Sequence, residues 1–460
     1  MFHPNSKALD IFGDKDTSDA RRRCRPDDDD EEGQLLYNLH LGITIIYAAV
    51  YGGYQFMPYC ADILQNLMES RGHPLSLILD GNPDIDTPWG LAKAYIDETW
   101  AYLDKNDGWN ADGSMGRKHN RIPFSDFSES DSAGSSWEPY RPQNSPYEVS
   151  GCRACMRRRY RQRRGRLLSN ERRWQPLMST NGLGYLSTQE HVTPFIGVTA
   201  RFFGFNSTED EETFSSRELP KPSFRYRYKD VAEEVLAETK LTATDKFKQN
   251  AVDFFDNKFN SLVPLKAAYF VQHSDKWSSN DFYGLTIAVQ LAIYNSVILS
   301  WREKIRHDLP RPTTVIRNKL GDTLVKTYAG PGEGAQTIKA SEWEPLIKTM
   351  AHSEFPSASA CVCQVFAEQV VNLIGTDKIS RPLEFASFTF TSWSEVSEVC
   401  GDSRVWGGMH FADSVPAGVD LCGGGEMAVS IARFDRKTRR RDESAAVLNR
   451  GIGERMLRPL

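Results

Sequence analysis

The fold is decided by residues 282–305, which read FYGLTIAVQLAIYNSVILSWREKI. Apolar side chains recur along this stretch at intervals of three and four, and its first charged residue is Arg302. That spacing predicts a long helix with a broad buried face. The helix should end soon after Lys304, because Pro310 cannot continue it.

Other stretches carry apolar residues at the same spacing, and they predict further helices. They lie at 35–55, 59–70, 89–103 and 231–259. Strand signals are few, and the best of them is FTFTSW at 388–393. The sequence therefore predicts an all-α fold, a large helical bundle built as two packed four-helix bundles with long surface loops.

Two segments fall outside this helical pattern. Residues 1–34 end in a block of opposite charges without apolar content, which predicts a disordered tail before a helical domain at 35–460. A low-complexity, arginine-rich insertion occupies about 113–170. No periodicity frames that insertion, so a surface loop or a gene-model artefact is favoured over a patch that binds polyanions.

Composition excludes several classes of function. The chain has 460 residues, 40% of them hydrophobic, and a formal net charge of −5, so nucleic acid is not an expected partner. The sequence shows neither an apolar run long enough to span a membrane nor a secretory signal. A cytoplasmic location follows by default. The oligomeric state is left open, with a homodimer among the options.

The eight cysteines are too sparse for a scaffold built on disulfides. The CxxC motif at 152–155 has no second pair at zinc spacing, which disfavours structural zinc. Cys361 and Cys363 are interpreted as small core residues. Cys400 and Cys422 flank a later motif and could pair with each other, but the sequence does not give their separation.

Three short motifs carry the chemistry. They are Lys304 followed six residues later by Arg311-Pro312, then PSAS at 356–359, then SRVWGGMH at 403–410. Together they supply three cations, a hydroxyl group, a predicted helix N-terminus and one imidazole, a set that suits a tetrahedral oxyanion. Taken singly, each motif has a structural explanation as a helix C-terminus, an N-cap or a polar core histidine.

In this order the motifs resemble those of the vanadium-dependent haloperoxidases and, more distantly, the acid phosphatases of the type-2 phosphatidic acid phosphatase superfamily. That family pattern is Lys-x6-Arg-Pro, Pro-Ser-Gly-His and Ser-Arg-x3-Gly-x-His. The resemblance extends over roughly 35–430, apart from the insertion. Supporting stretches are YRPQNSPYE at 140–148, RRWQPL at 172–177, QEHVTPFIG at 189–197 and EWEPLIKT at 342–349.

The resemblance implies a vanadate cofactor and a peroxidase that oxidises halide with hydrogen peroxide and so halogenates an organic acceptor. It also implies a role for each matching position. His410 would bind the metal, and the catalytic positions would be His410, Lys304 and Ser359. The residues implied to hold the vanadate oxygens are Lys304, Arg311, Ser357, the backbone amide of Ala358, and Arg404.

Two positions depart from the family pattern. Ala358 replaces a glycine, which leaves the backbone amide in place. Ser359 replaces the acid–base histidine, and a hydroxyl group cannot take up a proton near neutral pH. The role must then be lost, taken over by water, or assumed by a neighbour such as His352 or Glu354. Losing such a group typically costs about 10²–10⁴-fold in rate.

Two alternative functions remain open on the sequence. One is a phosphomonoesterase that uses the same oxyanion site, and the other is an oxyanion-binding homologue with impaired catalysis. Among nearby residues, Asp413 is interpreted as a solvated loop acid, with orientation of the His410 ring as the second choice. His191, Trp343 and Phe355 are interpreted first as packing residues and second as lining of the site.

Overall fold

The computed structural model describes residues 42–53, 61–79, 81, 83–85, 87–107, 142–145, 170–180, 186–189, 191, 213–214, 216–273 and 279–423. Helices dominate these residues, and the strands form only short pairs, so the predicted all-α helical bundle is confirmed. The predicted tail at 1–34, the CxxC motif and nearly all of the insertion lie outside the described residues. The division into two four-helix bundles stays a prediction.

Twelve helices are described within these ranges. The first four are α1 (42–53), α2 (Ala61–Ser70), α3 (Ser76–Leu79) and α4 (Pro88–Asp107). The next four are α5 (Tyr228–Thr242), α6 (Lys246–Phe254), α7 (Lys258–Gln272) and α8 (Ser279–His307). The last four are α9 (Pro312–Leu320), α10 (Ala358–Ile374), α11 (Trp393–Trp406) and α12 (Ser414–Cys422).

Three antiparallel strand pairs join the helices. The pairs are β1 (Met178–Thr180) with β2 (Leu186–Thr188), β3 (Leu324–Tyr328) with β4 (Ala335–Lys339), and β5 (Lys378–Phe385) with β6 (Phe388–Ser392). The strand β6 lies where FTFTSW gave the best strand signal. The strand passes directly into α11, because Ser392 caps that helix by accepting a hydrogen bond from the Glu395 amide.

Helices α8 and α10 form the centre of the core. The predicted long helix is confirmed as α8, and its apolar face packs against α10 together with side chains from α6, α7, α11 and the β5–β6 pair. A second apolar cluster joins α5 and α9 to Trp343, Phe355 and Phe411. These two clusters hold the chain segments that carry the three motifs.

The ends of three helices place the motifs close together. Helix α8 ends at His307, and Asp308 adopts a positive φ of 49° that turns the chain before α9. Arg311 is the N-cap of α9, with Pro312 in its first turn. Ser357 caps α10, as the sequence predicts, and its hydroxyl oxygen accepts a hydrogen bond of 3.3 Å from the Ala360 amide.

The cysteine pairing differs from the one considered from sequence. The described part of the chain contains the disulfides Cys361–Cys422 and Cys363–Cys400, so Cys400 and Cys422 are not bonded to each other. Successive residues of an α-helix turn by about 100°, so Cys361 and Cys363 on α10 point to nearly opposite sides. One therefore faces α12 and the other faces α11. The cytoplasmic location stays a prediction.

We expect these disulfides to stabilise the protein against unfolding. Closing loops of this length contributes roughly 2–4 kcal/mol per disulfide. Urea denaturation with and without a thiol reductant measures the loss. Thiol titration of the unfolded, unreduced protein should find at most four reactive groups, since four of the eight cysteines are bonded. Eight reactive thiols would contradict the pairing.

A candidate oxyanion site

Lys304 connects the end of α8 to the loop that precedes α10. Its side chain is fully buried, and its ammonium group donates three hydrogen bonds to backbone carbonyls. The acceptors are Ser353 at 3.0 Å, Glu354 at 2.8 Å and Pro356 at 2.5 Å. Burial and then the charge of Arg311 hold the pKa of Lys304 well below its usual value. The carbonyls solvate this cation without neutralising it.

Arg311 joins two of the motifs directly. Its guanidinium is 1% exposed and donates from Nε to the His352 carbonyl at 2.8 Å and from Nη1 to the Met409 carbonyl at 3.0 Å. Nη1 also lies 3.1 Å from Nε2 of His410, and Nη2 lies 2.8 Å from Nδ1 of His352. Burial lowers the pKa of Arg311 to about 10. The first and third motifs therefore meet at this side chain.

Glu354 holds the imidazole of His410. The His410 Nδ1 atom lies 2.8 Å from Oε1 of Glu354, and both residues are buried. The same Oε1 accepts a hydrogen bond from the Phe411 amide at 3.0 Å, and Oε2 accepts one from the Ser414 hydroxyl at 2.8 Å. A carboxylate on Nδ1 fixes the ring orientation and leaves the lone pair on Nε2, the atom beside Arg311.

Burial decides the protonation of this pair. The pKa of His410 is well below its usual value because of burial and then the charges of Arg311 and Lys304, so the imidazole is neutral. Burial raises the pKa of Glu354 to about 7, although Lys304 and Arg311 act in the opposite direction. A neutral imidazole with its Nδ1 proton on a carboxylate is the form of histidine that binds metals through Nε2.

Arg404 contacts the end of α6. It is 2% exposed, and its guanidinium donates to the Ser403 hydroxyl at 3.0 Å and to the Val252 carbonyl at 3.1 Å. It also lies 3.6 Å from a carboxylate oxygen of Asp256. Its own carbonyl accepts hydrogen bonds from the amides of Met409 and His410. Arg404 thus adjoins the site through its backbone, and burial lowers its pKa to about 10.

The second motif forms the N-terminus of α10. Ser357 is fully buried, and its amide donates to the Ser414 carbonyl at 2.9 Å. Ala358 and Ser359 are the first two residues of the helix, and both are half-buried. A first-turn position needs no positive φ, so Ala358 fits in place of glycine. Ser359 makes no side-chain hydrogen bond among those found in the described part of the chain.

The glycine pair of the third motif allows a close approach to a neighbouring ring. Gly408 has a φ of 74°, and a Cβ atom there would lie 2.9 Å from the Trp343 ring. A side chain at this position would push the Met409–His410 segment away from Arg311. Trp343 is fully buried in the α5–α9 cluster, so it packs under the motif as the first interpretation has it.

The other residues considered around the site have separate roles. Asp413 is exposed and does not orient His410, because Glu354 occupies Nδ1. From the sequence, Glu354 is a candidate only for the acid–base role that Ser359 cannot fill. His352 contacts Arg311 and is half-buried. Phe355 packs against Phe224 and the His307 ring.

His191 supports the loop before α10 from outside the three motifs. It is 4% exposed, its Nε2 accepts a hydrogen bond of 3.0 Å from the Ser353 amide, and its ring packs edge-on against Trp174. Burial and then the charges of Lys304 and Arg311 lower the pKa of His191 to about 3. The His191 ring is therefore neutral in the folded protein.

We expect His191 to make the protein less stable in acid. Its folded pKa lies below the unfolded value of 6.5, so its contribution is full above pH 6.5 and is lost as the pH falls toward 3. The loss is about 1.4 kcal/mol per pH unit within that window. Urea denaturation at several pH values should show a shallower dependence for His191→Gln than for wild type. Parallel curves would contradict this role.

The side chains present fit an oxyanion. Three buried cations lie around one neutral imidazole, and two carboxylates neighbour them, the buried Glu354 and the largely exposed Asp256. Backbone carbonyls satisfy their hydrogen bonds but leave a net positive charge in a poorly solvated region, which an anion would offset. Vanadate and phosphate share the tetrahedral shape and negative charge that this donor set suits.

Comparisons with known proteins agree with this fold. Residues 284–434 match the family model described as VCPO second helical-bundle domain. The crystal structure of a holo-type bacterial vanadium-dependent chloroperoxidase has a TM-score of 0.65 and 22% identity, over 85% of this chain and 82% of that chain. The apo-type structure gives a TM-score of 0.64 and 22% identity, over 85% and 83%.

A third solved structure, described as the first bacterial vanadium-dependent iodoperoxidase, has a TM-score of 0.50 and 13% identity, over 85% of this chain and 79% of that chain. Comparison with curated protein sequences finds no significant match. At these identities the solved structures establish the haloperoxidase-type fold. The stretch matched by the family model, residues 284–434, includes all three motifs.

No helix in the described ranges is both long and apolar enough to cross a bilayer.

Proposed function

We propose that this protein is a vanadate-dependent peroxidase that oxidises halide with hydrogen peroxide and so halogenates, or otherwise oxidises, an organic acceptor. One observation carries the proposal. The neutral imidazole of His410 is fixed by Glu354 on Nδ1, so Nε2 is directed at Arg311 inside a buried cluster of cations. That arrangement offers one metal-binding nitrogen and the positive charge that an anionic cofactor requires.

Each residue of the three motifs has a role in this proposal. His410 binds the metal through Nε2, while Lys304 and Arg311 supply the charge beside it. Arg404 adds a third positive charge, and Ser357 with the Ala358 amide supplies donors at the start of α10. Vanadate, when bound, activates hydrogen peroxide for a two-electron oxidation of halide. Because the cations are buried and fixed, they stabilise negative charge without reorganisation.

Proton transfer is the weak point of this site. Ser359 cannot exchange a proton near neutral pH, and Glu354 is already engaged by His410, Phe411 and Ser414. His352 is held by Arg311 through both its ring and its carbonyl. We therefore propose slow turnover, with water or His352 as the remaining proton carrier.

A second candidate is an oxyanion-binding protein without turnover. It is favoured by Ser359, whose hydroxyl group cannot supply the proton exchange that turnover requires. A phosphomonoesterase is less well supported, because protonating a leaving alcohol requires the acid that Ser359 replaces. The three functions share one site and differ in what happens after an anion binds.

One assay separates these functions. Protein loaded with vanadate and shown to retain it is mixed with hydrogen peroxide, bromide and a phenolic dye. We expect slow bromination that requires vanadate and is lost in His410→Ala. Retained vanadate without bromination would reject the peroxidase and favour the binding protein. Hydrolysis of an aryl phosphate that depends on His410 would instead favour the phosphomonoesterase.

A further inference from the structure

A cavity between α7, α8 and α10 contains two lysines that the proposed oxyanion site does not use. Its cavity volume is about 30 Å³, and it is partly open to solvent. Lys258, Lys266 and Gln290 contribute its polar groups, and five apolar side chains form the rest of the lining. A water molecule needs roughly 10–15 Å³ on this measure, so the cavity has room for about two water molecules or one small ion.

Lys266 is the more deeply buried of the two lysines. It is 1% exposed, and its ammonium group donates to the Thr286 hydroxyl at 2.6 Å and lies 5.0 Å from the centre of the Phe282 ring. An ammonium group has three donors, and no carboxylate pairs with Lys266 among the described residues. Burial lowers the pKa of Lys266 to about 8. An anion beside the Lys266 ammonium group would stabilise this buried positive charge.

Lys258 links the cavity to the oxyanion site. Its ammonium group donates to the Phe255 carbonyl at 2.6 Å at the end of α6, the helix that also supplies the Val252 carbonyl to Arg404. The charge of Arg404 contributes, after burial, to a lowered pKa at Lys258, and Asp256 opposes it. Lys258 therefore lines the cavity and also lies within electrostatic range of Arg404 in the third motif.

We propose that this cavity binds one monovalent, weakly hydrated anion of the halide class. The apolar lining offers few donors, so an ion with two or three charges would lose more hydration than two ammonium groups restore. A bromide or iodide ion needs only the charge and a few contacts. The role of this site as a store of halide for oxidation rests on the proposed function. Halide binding itself requires neither vanadate nor turnover.

Bromide binding to the protein without vanadate tests this inference. Bromide NMR linewidth in a titration of the protein should show saturable binding. Lys266→Met should bind bromide at least about tenfold more weakly, because the main countercharge is gone. The exposed Lys240→Met should match wild type.

Replacing a buried, unneutralised lysine with a residue of similar length is often neutral or stabilising, so Lys266→Met should fold. If it does not, anomalous diffraction from wild-type crystals with bromide decides the question by the presence or absence of an ion beside Lys266. Binding that is unsaturable, or equal in Lys266→Met and wild type, overturns the proposal. Vanadate retention is measured on the same proteins, so failure of the halide site and failure of the oxyanion site are separate results.

Discussion

Restoring a histidine with Ser359→His should raise the rate of bromide oxidation by about 10²–10⁴-fold in the vanadate-loaded protein. Ser359 is the second residue of α10, two positions after the capping Ser357 and one after Ala358. It is half-buried, and no described side-chain hydrogen bond would be lost. An imidazole there can exchange protons near neutral pH, which a hydroxyl group cannot do.

The rate constant for dye bromination at saturating peroxide measures this gain. Ser359→Gln is the matched control, since it adds a polar side chain of similar size that does not exchange protons. We expect Ser359→Gln to remain as slow as wild type. A gain of equal size in both variants would show that the size or shape of the side chain at position 359 causes the effect. No gain in Ser359→His, with vanadate retained, would reject the proton-transfer explanation.

Removing the carboxylate in Glu354→Ala should weaken vanadate binding by about 10–100-fold, the usual cost of losing the group that orients a metal-binding histidine. The variant leaves the Nδ1 proton of His410, the Phe411 amide and the Ser414 hydroxyl without their acceptor. The ring is then no longer held with Nε2 beside Arg311. Equilibrium dialysis against vanadate measures the affinity, and circular dichroism verifies the fold.

Glu354→Gln is the matched variant for this experiment. Its amide oxygen can still accept from His410 and Phe411, while its amide nitrogen can donate to the Ser414 hydroxyl. If Glu354 acts by orienting the ring, the affinity of Glu354→Gln stays within several-fold of wild type. An equal loss in both variants would show that the negative charge matters instead, and no loss in either would remove Glu354 from the site.

The sequence predicted what depends on local spacing. The apolar period of 282–305 predicts α8, and the serine before an apolar run predicts the cap of α10, because both follow from contacts between residues close in sequence. The order of the motifs also predicted that Lys304, Arg311 and His410 share one site. The described hydrogen bonds connect these residues through Arg311 and the 353–356 loop.

The remaining features depend on contacts between distant residues. Glu354 lies 56 positions before His410, and nothing local to either residue indicates that they are hydrogen-bonded. The disulfides were missed because the direction of each cysteine follows from how α10 packs on α11 and α12. The side chain of Arg404 turns toward Asp256 because the end of α6 lies there, which the spacing within SRVWGGMH does not show.

Vanadate binding is the most direct test of the account. Equilibrium dialysis should find one vanadate per chain, displaced by inorganic phosphate and lost in His410→Ala, while Asp413→Ala binds as wild type because that carboxylate is exposed. A folded wild-type protein that retains no vanadate, or a His410→Ala variant that binds it as tightly as wild type, would contradict the proposed site.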